Sequence, residues 1–198
     1  MKKFFALAVL LAVGPLAAGT AASLDENRFG LYYDQAATID EIDIAANSQQ
    51  VLYLVLINPV NSGGSVTYVS GFECAIRPAS GDFLLGVTFP LDALNLTGSA
   101  EEMVVGFSQG LPVTAGGGTT LAMVSVLTMG NNPEGYYLQP VSGASIPNSL
   151  VYLDSGGSER QLVSALPVSG SHDLPVFTFG DFSVEEGKNW GGVKSLYR

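Results

Sequence analysis

The 198-residue sequence predicts an all-β protein built as one antiparallel β-sandwich, with a closed barrel as the alternative. Three observations carry this. From Arg28 onward, β-branched and aromatic runs are separated by clusters of Gly, Pro, Asn and Ser. Several runs show a two-residue polarity period, and no helical stripe of useful length interrupts them.

The first 22 residues stand apart. Lys2 and Lys3 precede an apolar run from Phe4 to Ala18 broken by Gly14 and Pro15, and Gly19-Thr20-Ala21-Ala22 supplies a small-residue exit. This is the pattern of a secretory signal peptide, and the apolar run is shorter than the ~20 residues that a membrane span needs. Cleavage after Ala22 would expose Ser23 rather than cysteine, which argues against lipoprotein processing. It would leave 176 residues with six basic and eighteen acidic side chains. The expected product is exported, extracellular or at the cell surface, with the periplasm as alternative, and it carries no stable transmembrane span.

About ten strands follow: Phe29 to Asp34, Ile39 to Ala45, Val51 to Asn58, Val66 to Arg77, Phe83 to Phe89, Met103 to Ser108, Thr119 to Met129, Tyr136 to Val141, Leu150 to Asp154 and Gln161 to Ala165. In the second, Ile39, Glu41, Asp43 and Ala45 share one parity and Asp40, Ile42 and Ile44 the other. In the fourth, Phe72, Cys74 and Ile76 alternate with Glu73, Ala75 and Arg77, which puts Cys74 on the apolar face as a small buried hydrophobe. Val51 to Ile57 is apolar at both parities and reads as a central strand covered on both faces. Turns are marked at 61–64, 116–118, 131–135 and 155–158 by residues that accept positive φ or fix turn geometry. The division expected is a signal peptide over 1–22, a sandwich domain over 23–166, a linker over 167–187 where strand rhythm is lost, and a basic amphipathic tail over 188–198.

The succession of Val51 to Asn58 ending in Asn-Pro, Ser70 to Ile76, Val104 to Pro112, a glycine-rich turn and Thr120 to Val126 resembles the strand order of cohesin-like and carbohydrate-binding-like sandwiches. The resemblance spans about Gln49 to Asp154. It implies a jelly-roll or immunoglobulin-like sandwich of an extracellular bacterial kind, and no recognition residue is carried over with it.

Composition excludes several functions. Charged residues are 13% of the chain, about half the usual share, and the formal charge of −10 repels phosphate backbones and anionic membranes. One cysteine permits no internal disulfide, and one histidine with one cysteine rules out His- or Cys-rich zinc sites. Gly106-Phe-Ser108-Gln-Gly110 matches the G-x-S-x-G nucleophile pattern, but the residues after it cannot form the required helix, and His172 lies in a Ser-Gly-rich stretch. The adjacent carboxylates Asp40-Glu41, Glu101-Glu102 and Glu185-Glu186 point to opposite faces if they lie in strands, so none makes a glycosidase pair alone. No cofactor is expected. The acidic cluster Asp34, Asp40, Glu41 and Asp43 is a weak candidate for structural calcium, the alternative being a solvated strand face.

Three of the basic residues, Lys188, Lys194 and Arg198, lie in the tail with Trp190, Val193, Leu196 and Tyr197 near helical spacing, which Gly191 and Gly192 weaken. The tail resembles short Trp-Gly-x-Val/Ile-Lys-x-Leu endings of exported bacterial proteins. It reads either as a docking or sorting peptide, or as a tail folded back on its own acidic sandwich or left free. The expected function is a non-enzymatic exported binding or structural module making protein–protein or surface adhesion contacts. The alternative is a carbohydrate-binding module, so the partner is an extracellular protein or a glycan, and no nucleic acid is expected. Tyr53, Tyr68, Phe72, Tyr136, Tyr137 and Tyr152 are the possible aromatic platforms, most of them expected in the core.

Overall fold

A computed structural model describes residues 26–45, 47–78, 81–114, 118–129, 134–157 and 159–180. The signal peptide expected over 1–22 and the tail expected over 188–198 lie outside the described residues. Fourteen strands occur among the described residues: β1 (Arg28–Tyr32), β2 (Glu41–Ile42), β3 (Ser48–Ile57), β4 (Val60–Asn61), β5 (Gly64–Ser65), β6 (Tyr68–Pro78), β7 (Phe83–Thr88), β8 (Ala93–Asn95), β9 (Glu102–Pro112), β10 (Gly118–Thr128), β11 (Glu134–Gln139), β12 (Leu150–Asp154), β13 (Gln161–Pro167) and β14 (Phe177–Phe179). All ten expected strands are present. The four additional ones are each of two or three residues, too short to show a period.

The strands form two layers. The first runs β13-β1-β3-β10-β7. In the second, β6 pairs with β9 on one edge and with both β11 and β12 on the other; β8 extends β9, while β14 and then β2 extend β11. β13 joins the layers, because Gln161 to Ala165 pair with β12 and Leu166 and Pro167 pair with β1. The expected wholly antiparallel arrangement is corrected at two places, since β1 with β13 and β2 with β14 run parallel.

Hydrophobic burial explains the pairing. Leu52, Leu54 and Leu56 of β3 face Phe72, Cys74 and Ile76 of β6 across the core, joined by Val124 and Val126 of β10 and Met103 and Val105 of β9. Phe29, Phe89 and Phe107 ring Phe72 with centroid separations of 6.0 to 6.5 Å. The two-sided burial expected of the third run holds in its middle, where Leu54, Val55 and Leu56 are all fully buried. Val55 points to the outer face and is covered where Gly118 approaches: a Cβ there would lie 2.4 Å from Val55 Cγ1.

Two expectations change at the sheet edge. Of Ile39 to Ala45, only Glu41 and Ile42 pair, because Asp34 draws the preceding chain into a turn by accepting from the Thr38 amide (2.9 Å), the Thr38 hydroxyl (2.9 Å) and the Ile39 amide (2.8 Å). The stretch from 167 expected as linker instead carries β14, whose Phe177 and Phe179 are buried against Tyr136 at 6.2 and 5.6 Å. Its Pro, Gly and Ser content hid three residues that complete the core.

Cys74 is completely buried, and burial pushes its thiol pKa up. We expect the native protein to resist maleimide at pH 8 and to be modified only at the rate at which it unfolds. Rapid labelling of the native chain would contradict the packing of β6.

Candidate functional site

The most distinctive local feature arises where β9 parts from β6. Register passes from Gly71 opposite Gly106 directly to Val69 opposite Leu111, so residues 107–110 of β9 stand against Ser70 alone. The bulge lets Ala93 and Leu94 pair with Phe107 and Gly106. It also explains the G-x-S-x-G string. Ser108 lies in a bent strand with its amide bonded to Asp92 O at 2.9 Å, and strand β9 continues past it to Pro112 with no helix following among the described residues.

On the outer face of this layer, one register row runs across five strands: Leu94, Gly106, Gly71, Leu153 and Leu162. These side chains share a face, opposite to that of core residues Val105, Phe72 and Tyr152. Leu94 is 64% exposed and Leu162 51%. The next row is Val104, Glu73, Val151 and Ser164. Two glycines between rows of aliphatic side chains leave an open-topped depression of about 100 Å³. Ser70 also borders it, although by alternation with Gly71 its side chain shares the parity of core residue Phe72; its Oγ is buried and has no hydrogen-bond partner among the described residues. Glu73 accepts from the Ser145 amide at 2.8 Å and the Ser145 hydroxyl at 2.5 Å, so the segment between β11 and β12 is pinned beside it.

The two floor glycines serve different ends. A Cβ at Gly71 would meet Val105 O at 2.5 Å, so the close approach of β6 and β9 requires glycine there. A Cβ at Gly106 would meet nothing within 4 Å. Packing does not demand glycine at 106, and its bare backbone is what keeps the depression open.

The residues singled out from sequence are not brought together as a catalytic or metal site. Asp34 spends its carboxylate on Thr38 and Ile39; desolvation is the largest single influence and raises its pKa, but the bonds from Thr38, Ile39 and Ala36 together outweigh it and hold the pKa below the ordinary value. Among the described residues, no three His, Cys, Asp or Glu side chains form a group able to hold a metal, and Asp34, Asp40, Glu41 and Asp43 do not converge into one. Glu101 and Glu102, expected to diverge, both pair with Arg77, at 3.2 and 2.5 Å, because Glu101 precedes β9. His172 Nδ1 contacts Leu138 O at 2.8 Å, two strand positions from β9 and on the order of 20 Å from Ser108 by strand geometry. Asp154 is engaged by the Asn61 amide and by the Gly156 amide at 2.8 Å. Its charge, after burial, helps push the Tyr152 phenol up. The tail candidates Lys188, Trp190, Val193, Lys194, Leu196, Tyr197 and Arg198 lie outside the described residues.

Of the possible aromatic platforms, Phe72, Tyr136 and Tyr152 are buried, Tyr53 and Tyr137 are half-buried, and Tyr68 is 47% exposed. A separate shallow hollow beside β3 is lined by Tyr33, Gln49, Gln50, Val51 and Tyr53, with Tyr33 Oη donating to Gln50 Oε1 at 3.2 Å.

The site identified here was missed in sequence. Its one signal was glycine at two positions, 71 and 106, within otherwise apolar strands, which marks a bulge or a close approach.

No family model and no curated protein matches the chain. Among solved structures, the cohesin chain of a CaDoc0917–CaCohA2 complex is similar, with a TM-score of 0.41 and 10% identity, covering 71% of this chain and 98% of that one.

The glycine pair predicts opposite responses. Gly71→Ala should cost about 1–3 kcal/mol in denaturant unfolding, because strand backbones must move apart. Gly106→Leu should stay within about 0.5 kcal/mol of the parent. Equal destabilisation by both would contradict the open floor at 106.

Proposed function

We propose that the chain is a non-enzymatic exported binding module, extracellular or at the cell surface, which docks a segment of a protein partner on the outer face of β8, β9, β6, β12 and β13. The observation that carries this is the depression over Gly106, a bare floor that packing does not require, set in an outward row between exposed Leu94 and Leu162. Exposed leucines at both ends give the apolar rim over which a side chain anchors. The lining contains Glu73 and no lysine or arginine, which favours a segment pairing apolar anchors with positive charge.

A glycan reading is supported by one observation, the Tyr33, Gln49, Gln50 and Tyr53 hollow, where a phenol ring can stack on a sugar and amides can bond its hydroxyls. It concerns a different surface, so one pair of variants separates the two readings.

Peptides selected from a random display library on the chain from Ser23 onward should combine an aromatic or aliphatic anchor with Lys or Arg. They should lose at least tenfold in affinity for Gly106→Leu and none for Tyr53→Ala. If no selected peptide is sensitive to Gly106→Leu, the protein-docking reading fails. A glycan-array signal abolished by Tyr53→Ala would put the second reading in its place.

A further inference from the structure

We infer that residues 188–198 of the same chain occupy this depression, so that the module carries its own competing ligand. The inference rests on the docking face proposed above and adds what fills it when no partner is bound.

Charge is the first argument. Residues 26–180 hold fourteen acidic side chains and three arginines, a formal −11, whereas residues 188–198 hold Lys188, Lys194 and Arg198 and no acid. Of the three arginines, Arg77 is already held by Glu101 and Glu102. The connecting residues 181–187 hold Asp181, Glu185 and Glu186, so the positive charge is confined to the last eleven positions, and this +3 segment is attracted to the −11 body at moderate ionic strength.

Residue type is the second. The depression offers aliphatic walls and one acid, and the segment offers Trp190, Val193, Leu196 and Tyr197. Trp, Tyr and Arg are the residues that most often anchor interfaces.

Reach is the third. β14 lies two strand positions from β6, and Gly180 stands about ten residues of strand beyond the level of Gly71, a path on the order of 35 Å. Residues 181–198 extend to as much as ~60 Å, which brings Val193 to Tyr197 over the depression with slack and Trp190 to its near rim. A tether of this length holds its end at an effective concentration near millimolar, so even a weak contact is populated within one molecule.

The test uses the chain from Ser23 onward, which retains every described residue. Buried Cys74 leaves Ser195→Cys as the one site open to a nitroxide label. Amide signals of Gly71 and Leu153 should lose more than half their intensity in the labelled chain. They should recover with Gly106→Leu, and recover at least partly in 0.5 M salt. A mixture of isotope-labelled chain without nitroxide and nitroxide-bearing chain without isotope should show no loss. Full intensity at Gly71 and Leu153 in the labelled chain overturns the inference. So does loss in the mixture, which would mean that the tail of a second copy binds. If broadening is absent while the selected peptides still bind in a Gly106-dependent way, only the tail occupancy fails; if both are absent, the docking face fails with it.

Discussion

The fold depends on a single strand that must satisfy three neighbours. β6 supplies Phe72, Cys74 and Ile76 to the core, pairs along one edge with β9, and divides its other edge between β11 and β12. Backbone hydrogen bonding in a buried layer admits no gap, so each departure from register has to be absorbed locally. It is absorbed at Ser70 and Gly71, where β9 bulges by 107–110 and β12 shifts between Leu153 and Asp154. Both irregularities meet at the same two residues of β6. Gly71 permits the approach and Ser70 is left with an unpaired hydroxyl, so the depression is the outer consequence of an inner packing requirement.

Much of this was legible from alternation. The parity of Phe72, Cys74 and Ile76 follows directly from hydrophobic burial and holds, and the two-sided burial expected of Val51 to Ile57 holds over Leu54 to Leu56 while Val51 is exposed. Failures came where local chemistry competes with periodicity. Ile39 to Ala45 alternates well enough for a full strand, but the Asp34 turn and an edge position leave two paired residues. Phe177 to Phe179 lies among Pro, Gly and Ser residues that signal irregular chain, yet three buried residues beside Tyr136 suffice to build β14. In such short pieces, burial available in three dimensions outweighs any pattern visible in one.

The depression proposed as a docking face was illegible for a related reason. Sequence reasoning seeks functional side chains, and this feature is made by the lack of one at Gly106 and by a register that places leucines of β8, β12 and β13 around it. The string containing Gly106 drew notice because it matched a catalytic pattern. Its actual meaning, a bulge between a core strand and an edge strand, requires knowing that Gly106 opposes Gly71.

Separate faces allow separate demands on one strand. Inward residues of β6 and β9 fix stability, because each is fully or nearly fully buried and packed on the opposite layer, whereas the outward row carries exposed leucines that contribute little to folding. Exposed apolar side chains on a monomer are an aggregation liability, and here they occur with a strongly acidic body whose self-repulsion keeps copies apart. On the proposed docking reading, that combination would also select the partner: a neutral or acidic apolar segment meets a repulsive field, while a cationic one is drawn to the leucine-rimmed depression. The same field would act on the proposed occupant from the same chain, because residues 188–198 hold three basic side chains and no acid.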